Sequence, residues 1–310
     1  MKRFRQMAFI TTIATYFVIF MGGLVRVSGA GLGCPDWPKC FGRWFPPTNV
    51  NQLPPGIDPS LFNLTLVWIE YINRLGGMIL GILILAIALM AIKYYRKVPR
   101  ILVPSLIVAL LVAIQGWQGG QVVESNLRQA YVSIHMGLAF LIASLMIYIT
   151  LQAYYFESPD EEKGRSYPKF IAFQVALLWV LTICQVIFGT RIRSSLEYIS
   201  RNFPLLPESE WMGRMGISAY GHAILGILVA ALSWMIMTKL IRESRDASSI
   251  VRQGGTGIVI LAALQVIIGA VLAIVGLPEV MRIFHLWVAG LLIGMELMLY
   301  SALRHYGRLS

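Results

Sequence analysis

The sequence predicts an all-α integral membrane protein, with eight transmembrane helices arranged as two pseudo-symmetric four-helix bundles and both termini cytoplasmic. Three observations predict it. The composition is 57% hydrophobic and only 13% charged, with a mean hydropathy of +0.69, so the bilayer is its natural solvent. Eight apolar runs each reach the ~20 residues that cross ~30 Å of hydrocarbon. Basic clusters fall between those runs on one side only, as the positive-inside rule requires.

The runs lie at about 7–27, 66–92, 101–123, 129–153, 169–190, 214–238, 255–276 and 281–303. Lys2, Arg3 and Arg5 precede the first. Lys93, Arg96, Lys97 and Arg100 join the second to the third. Lys163, Arg165 and Lys169 lie between the fourth and fifth. Lys239, Arg242, Arg245 and Arg252 join the sixth to the seventh, and Arg304 and Arg308 follow the eighth. The net charge of +11 therefore reads as an orientation signal for membrane lipid, with no nucleic acid as partner. Residues 28–65 and 191–213 become the long outer loops. Arg26, Arg74, Arg128, Arg191, Arg193, Arg214 and Arg282 lie at the outer helix ends. They read either as interfacial snorkelling or as cations for the carboxylates of a buried cofactor. The basic start continues into an apolar run with no small-residue cleavage site, so no cleavable signal peptide is expected. A bacterial cytoplasmic (inner) membrane is the simplest address.

The halves resemble each other at an offset near 150 residues. Gln115 with Gly119 and Gly120 answers Gln265 with Gly269 and Ala270, and His135 answers His285. Asn73, four residues before Gly77, answers His222, four residues before Gly226. The division expected is an N-terminal half at 1–155, a cytoplasmic linker at 156–168 and a C-terminal half at 169–310.

Of the four histidines, His305 reads as a solvated tail residue. The other three lie inside apolar helices at repeat-related positions, where ionisable side chains are costly and usually functional. Asn73, His135, His222 and His285 all fall ~6–12 Å into the outer half of the membrane, at ~1.5 Å per residue. His222 and His285 could face each other and hold one haem iron from both sides. Two imidazoles do not make a closed zinc site. The first half offers His135 but has Asn73, a poor iron ligand, at the equivalent of His222. Glu70 shares the helix face of Asn73, and Arg74 follows it at i+4. Glu70 reads either as a structural partner of Arg74 or as a carboxylate beside a substrate haem, moving protons or stabilising a cationic intermediate. Cys34 and Cys40 in the first outer loop can pair as a disulfide on an oxidising face, and a loop staple and a redox-active pair both remain open. Cys184 reads as a buried, apolar-like residue.

These residues resemble a known family. The run Gly22 to Gly42, with Arg26, Gly31, Gly33, Cys34, Asp36, Trp37, Pro38 and Cys40, is similar to the signature of haem A synthases. Glu70-Tyr71-Ile72-Asn73-Arg74 resembles that family's Glu-Tyr-x-His-Arg motif. His135, His222 and His285 fall on the helices where the family places its other histidines. The resemblance runs across the whole chain, is strong in the first 45 residues, and thins in helices 5 to 7 to Gly189-Thr190-Arg191-Ile192-Arg193 and His222.

The resemblance implies oxidation of the C8 methyl of haem O to the formyl group of haem A, for haem–copper terminal oxidases. Two hydroxylations would give a gem-diol that loses water. A resident haem b would use His222 and His285, and the substrate haem O would meet Glu70, Arg74 and His135, with Asn73 beside it. It also implies a functional Cys34–Cys40 pair. A haem O synthase as substrate donor and the terminal oxidase assembly machinery would be partners, and self-association is left open. Two departures stand out: Asn73 replaces the motif histidine, and the second outer loop lacks a cysteine pair. The competing readings are a b-type membrane cytochrome carrying electrons from quinol without modifying haem, and a transporter. Glu70 favours the enzyme over the cytochrome, and the absence of paired midplane Gly/Pro breaks weakens the transporter.

Overall fold

The structure is a computed structural model, and it describes residues 2–157, 167–243, 248–275 and 277–306. Lys163, Arg165, Arg245 and Arg308, and most of the linker expected at 156–168, lie outside the described residues. The described residues form nine α-helices: α1 (Lys2–Val27), α2 (Leu64–Tyr94), α3 (Pro99–Glu124), α4 (Gln129–Glu157), α5 (Lys169–Asn202), α6 (Glu208–Met215), α7 (Ile217–Glu243), α8 (Ser249–Val275) and α9 (Glu279–Tyr306). All but α6 are long and apolar enough to cross a membrane, and the chain is a multi-pass membrane protein. It divides into two compact units, Met1–Ala153 and Tyr154–Ser310.

In the first unit, Phe4 and Ala8 of α1, Ile84 and Ile87 of α2, Ile101 and Val108 of α3, and Ile142 and Met146 of α4 share one core. The Thr12 and Thr150 hydroxyls, 3.0 Å apart, join α1 to α4 within it. Phe9, Ile13, Phe17, Ile82 and Leu85 point outward, where lipid is the solvent and apolar exposure costs nothing. Asn63 starts α2 by accepting a hydrogen bond from the Leu66 N–H at 3.2 Å, and Pro99 opens α3, where its missing N–H is no loss.

In the second unit, α5 packs on α7 and α9, and α8 packs on the same two helices. Ile171, Leu178, Ile236, Ile258 and Leu299 fill its interior.

Four local expectations are corrected. The segment from 191 is not all loop. α5 continues to Asn202, because Leu196 and Ile199 supply an apolar stripe that buries against Met215, Ala219 and Leu277. The sixth crossing starts at Ile217 rather than 214, because Gly216, at φ 58° and ψ −137°, takes a backbone conformation that side chains exclude and breaks α6 from α7. Cys184 is exposed rather than buried, an acceptable place for a thiol when the solvent is lipid. His305 is also not a free tail residue. It is half-buried and stacks on Tyr155, ring centres 3.9 Å apart.

Candidate functional site

His222 on α7 and His285 on α9 meet across the second bundle. Their ring centres are 6.2 Å apart and their planes cross at 66°. Two imidazoles on one metal, each with a metal–nitrogen bond of ~2.0 Å and a nitrogen about 1.1 Å from its ring centre, put the centres ~6 Å apart. The pair therefore has the spacing of an axial pair on one iron. Among the described residues no three His, Cys, Asp or Glu side chains gather as a metal cage. The Nδ1 atoms of His222 and His285 are both buried without a hydrogen-bond partner, a costly state for a polar atom.

The neighbouring helices grip both histidines in the same way. Gln185 on α5 donates its side-chain amide to the His222 carbonyl at 2.7 Å, and Gln265 on α8 donates to the His285 carbonyl at 2.7 Å. One turn on, a Cβ at Gly189 would stand 3.3 Å from Cε1 of His222, and one at Gly269 would stand 3.5 Å from Cε1 of His285. Phe188 meets the His222 ring edge-on, centres 5.9 Å apart. A cavity of ≈ 580 Å³ shares Phe188 and is lined also by Arg191, Ser194, Ser195 and Ser218.

His135 on α4 has the same surroundings in the first bundle. Gln115 on α3 donates to its carbonyl at 3.0 Å, and a Cβ at Gly119 would lie 3.4 Å from its Cε1. It has one further partner. Gln118 commits its amide nitrogen to the Tyr131 carbonyl at 2.8 Å, so its oxygen faces Nδ1 of His135, also at 2.8 Å. Facing an acceptor, Nδ1 must be the donor, and the lone pair of the neutral ring is left on Nε2. At the fourth position Asn73 faces Gly22, whose Cβ would be 3.9 Å from its Oδ1. That oxygen is buried and unpartnered. The donor set in the first bundle thus fits a haem held by one imidazole, and that in the second fits a haem held by two.

Glu70 and Arg74 turn to the outer loop. Glu70 is 3% exposed, and its carboxylate accepts from the Cys34 N–H at 2.8 Å and from Arg74 Nε at 3.1 Å, with Arg74 Nη2 closing a fork. Arg74 also donates to the carbonyls of Asp36 at 2.7 Å, Lys39 at 2.8 Å and Cys34 at 3.1 Å. The loop they hold contains the Cys34–Cys40 disulfide. Asp36 accepts from the N–H groups of Phe41 and Gly42 at 2.6 and 2.8 Å. Trp37, whose bond to Pro38 is cis, lies under the Arg74 guanidinium at 5.1 Å and against Gly120, where a Cβ would be 2.6 Å from its ring. Among the described residues no hydrogen bond joins Glu70 or Arg74 to His135. Trp37 and His135 instead meet adjacent glycines of α3. Of the outer arginines, Arg26 donates to Gln129 at 3.1 Å, Arg214 lies over Phe203 at 4.3 Å, and Arg282 pairs with Glu279 at 3.5 Å.

Residues 5–297 match the family model COX15-CtaA, cytochrome oxidase assembly protein. The chain belongs to this family. Among curated relatives of this COX15-CtaA chain, the Heme A synthase of Shewanella oneidensis is 29% identical over 219 residues, 67% of this chain and 62% of that protein. The Heme A synthase of Alkalihalophilus pseudofirmus is 26% identical over 246 residues, 76% of each chain. That of Bacillus mycoides is 23% identical over 296 residues, 92% of this chain and 88% of the relative.

Sequence reasoning singled out the three histidines, Asn73, Glu70, Arg74 and the cysteines of this COX15-CtaA protein as candidates. It missed Gln118, the docking of Trp37, and the role of Gln185. The last was legible: Gln-Val-Ile-x-Gly occurs at 185–189 and again at 265–269.

Proposed function

We propose that this protein is a haem A synthase that oxidises the C8 methyl of haem O to a formyl group by successive hydroxylations, supplying haem A to haem–copper terminal oxidases. The observation that carries the reading is the His222–His285 pair at iron-spanning distance in a chain whose family assembles cytochrome oxidase. The name shared by its relatives favours the synthase over an electron-carrying b-type cytochrome.

His222 and His285 would hold a resident haem b, which would supply one-electron redox chemistry when bound. The first half, 1–155, receives haem O. Its His135, with the lone pair on Nε2, would hold the substrate haem iron, and Asn73 would offer it no strong donor. Glu70 and Arg74 act at the outer rim, where they set the disulfide loop and with it Trp37. Glu70 would act beside the substrate haem, in proton transfer or in stabilising a cationic intermediate. The two halves are repeats, both termini are cytoplasmic, and both haem sites lie in the outer half of the membrane. A haem O synthase donates the substrate, and the oxidase assembly machinery takes the product.

Expression in a host that makes haem O but no haem A, followed by haem extraction, tests the reading. Haem A should appear with this chain and be absent without it. A folded, haem-loaded protein yielding only haems B and O would overturn it.

A further inference from the structure

Three histidines on three different helices are gripped by the same device, and the fourth related position has lost it. Gln115 and Gly119, Gln185 and Gly189, and Gln265 and Gly269 are each one helical turn apart. Each glutamine donates to the main-chain carbonyl of a histidine on the adjacent helix, at 3.0, 2.7 and 2.7 Å. Each glycine receives that ring's Cε1 edge where a Cβ would stand 3.4, 3.3 or 3.5 Å away. At the fourth position Gly22 still faces residue 73, but one turn before it stands Val18, which has no amide to donate, and residue 73 is asparagine. The glutamine and the imidazole are missing together.

We infer that Gln115, Gln185 and Gln265 are positioning residues for axial imidazoles, each fixing the height and rotation of its histidine against the facing glycine, and that replacement of this anchor by Val18 accompanies the single-imidazole character of the first half. The inference rests on the haem reading above. The physical reason is leverage. A histidine carbonyl inside a helix already accepts the i+4 N–H, and a second donor from the next helix ties the main chain at the ligand to that helix. Without a Cβ opposite, the Cε1 edge of the ring comes close to the neighbouring helix and has little room to rotate. The imidazole planes, and so the ligand field at the iron, are set by helices that carry no ligand themselves.

The test uses the full chain purified in detergent with its haem. Gln185→Leu and Gln265→Leu should change the low-temperature electron paramagnetic resonance line shape and the midpoint potential of haem b, and weaken its retention ~10-fold or more. Unchanged line shape and potential would overturn the inference. Should a leucine variant fail to fold, Gly189→Ala and Gly269→Ala keep every hydrogen bond and press only on the ring edge. They should alter the line shape at unchanged haem b content, and an unaltered line shape again overturns the proposal. Independently, Val18→Gln with Asn73→His should convert haemin bound in the first half to a low-spin, six-coordinate form more completely than Asn73→His alone; equal conversion counts against the anchor. If His222→Ala and His285→Ala leave the haem b spectrum untouched, the haem reading itself fails, a result distinct from the failure of the glutamine anchors.

Discussion

Glu70 is held by the Cys34 N–H and by Arg74, so the two sequence readings of this pair are not exclusive. The carboxylate fixes the outer loop and still sits at the rim of the first bundle. Glu70→Ala should keep haem b, because that site is built from residues of the other unit, and should lower haem A formation ~100-fold or more if the carboxylate handles protons. The same variant should expose Cys34 and Cys40 to alkylation at lower reductant, since the loop loses an anchor. Unchanged haem A yield would refute the catalytic role, and unchanged thiol accessibility the anchoring one. His222→Ala or His285→Ala should each remove haem b, read as loss of the haemochrome signal per mole of protein. Loss of one ligand leaves the partner imidazole buried with no metal and no hydrogen bond to its Nδ1.

At the scale of elements, the outer loop and the α6–α7 junction show what short segments contribute. The loop carries Trp37 onto Gly120 of α3, and no side chain fits between them. Gly120→Ala should cost ~1–3 kcal/mol as an overpacking change and push Trp37 off α3, detected as a lower thermal midpoint in detergent together with faster proteolysis of the loop. At Gly216, φ 58° and ψ −137° exclude a Cβ, so Gly216→Ala should cost about 1–2 kcal/mol. The same thermal assay reads it, with the effect confined to the second unit. Asn63 and Pro99 start α2 and α3 two residues ahead of the apolar runs at 66 and 101. The continuation of α5 was not legible, because Thr190 to Asn202 carries three arginines and serines enough to look like a loop. Its stripe of Leu196 and Ile199 acquires meaning only once Met215 and Leu277 are beside it.

At the scale of the whole molecule, the basic clusters predict that both ends of the chain are on the cytoplasmic side. Fluorescent-protein fusions to either terminus should therefore fluoresce, and periplasmic reporter fusions there should be inactive. An active periplasmic reporter at either end would reverse the orientation and with it the outer position of the cysteine loop. Eight crossings and the candidates His135, His222, His285, Asn73, Glu70 and Arg74 could be read from the sequence, since hydropathy over ~20 residues and ionisable groups inside apolar runs are local properties of the chain. The arrangement of those groups could not. That the ring centres of His222 and His285 lie 6.2 Å apart, that Gln118 sets the proton on His135, that Arg74 spends its donors on loop carbonyls, and that three glutamines grip three histidines are contacts between separate elements of the chain. Helix periodicity says which face a residue shares, but only packing says what stands opposite that face.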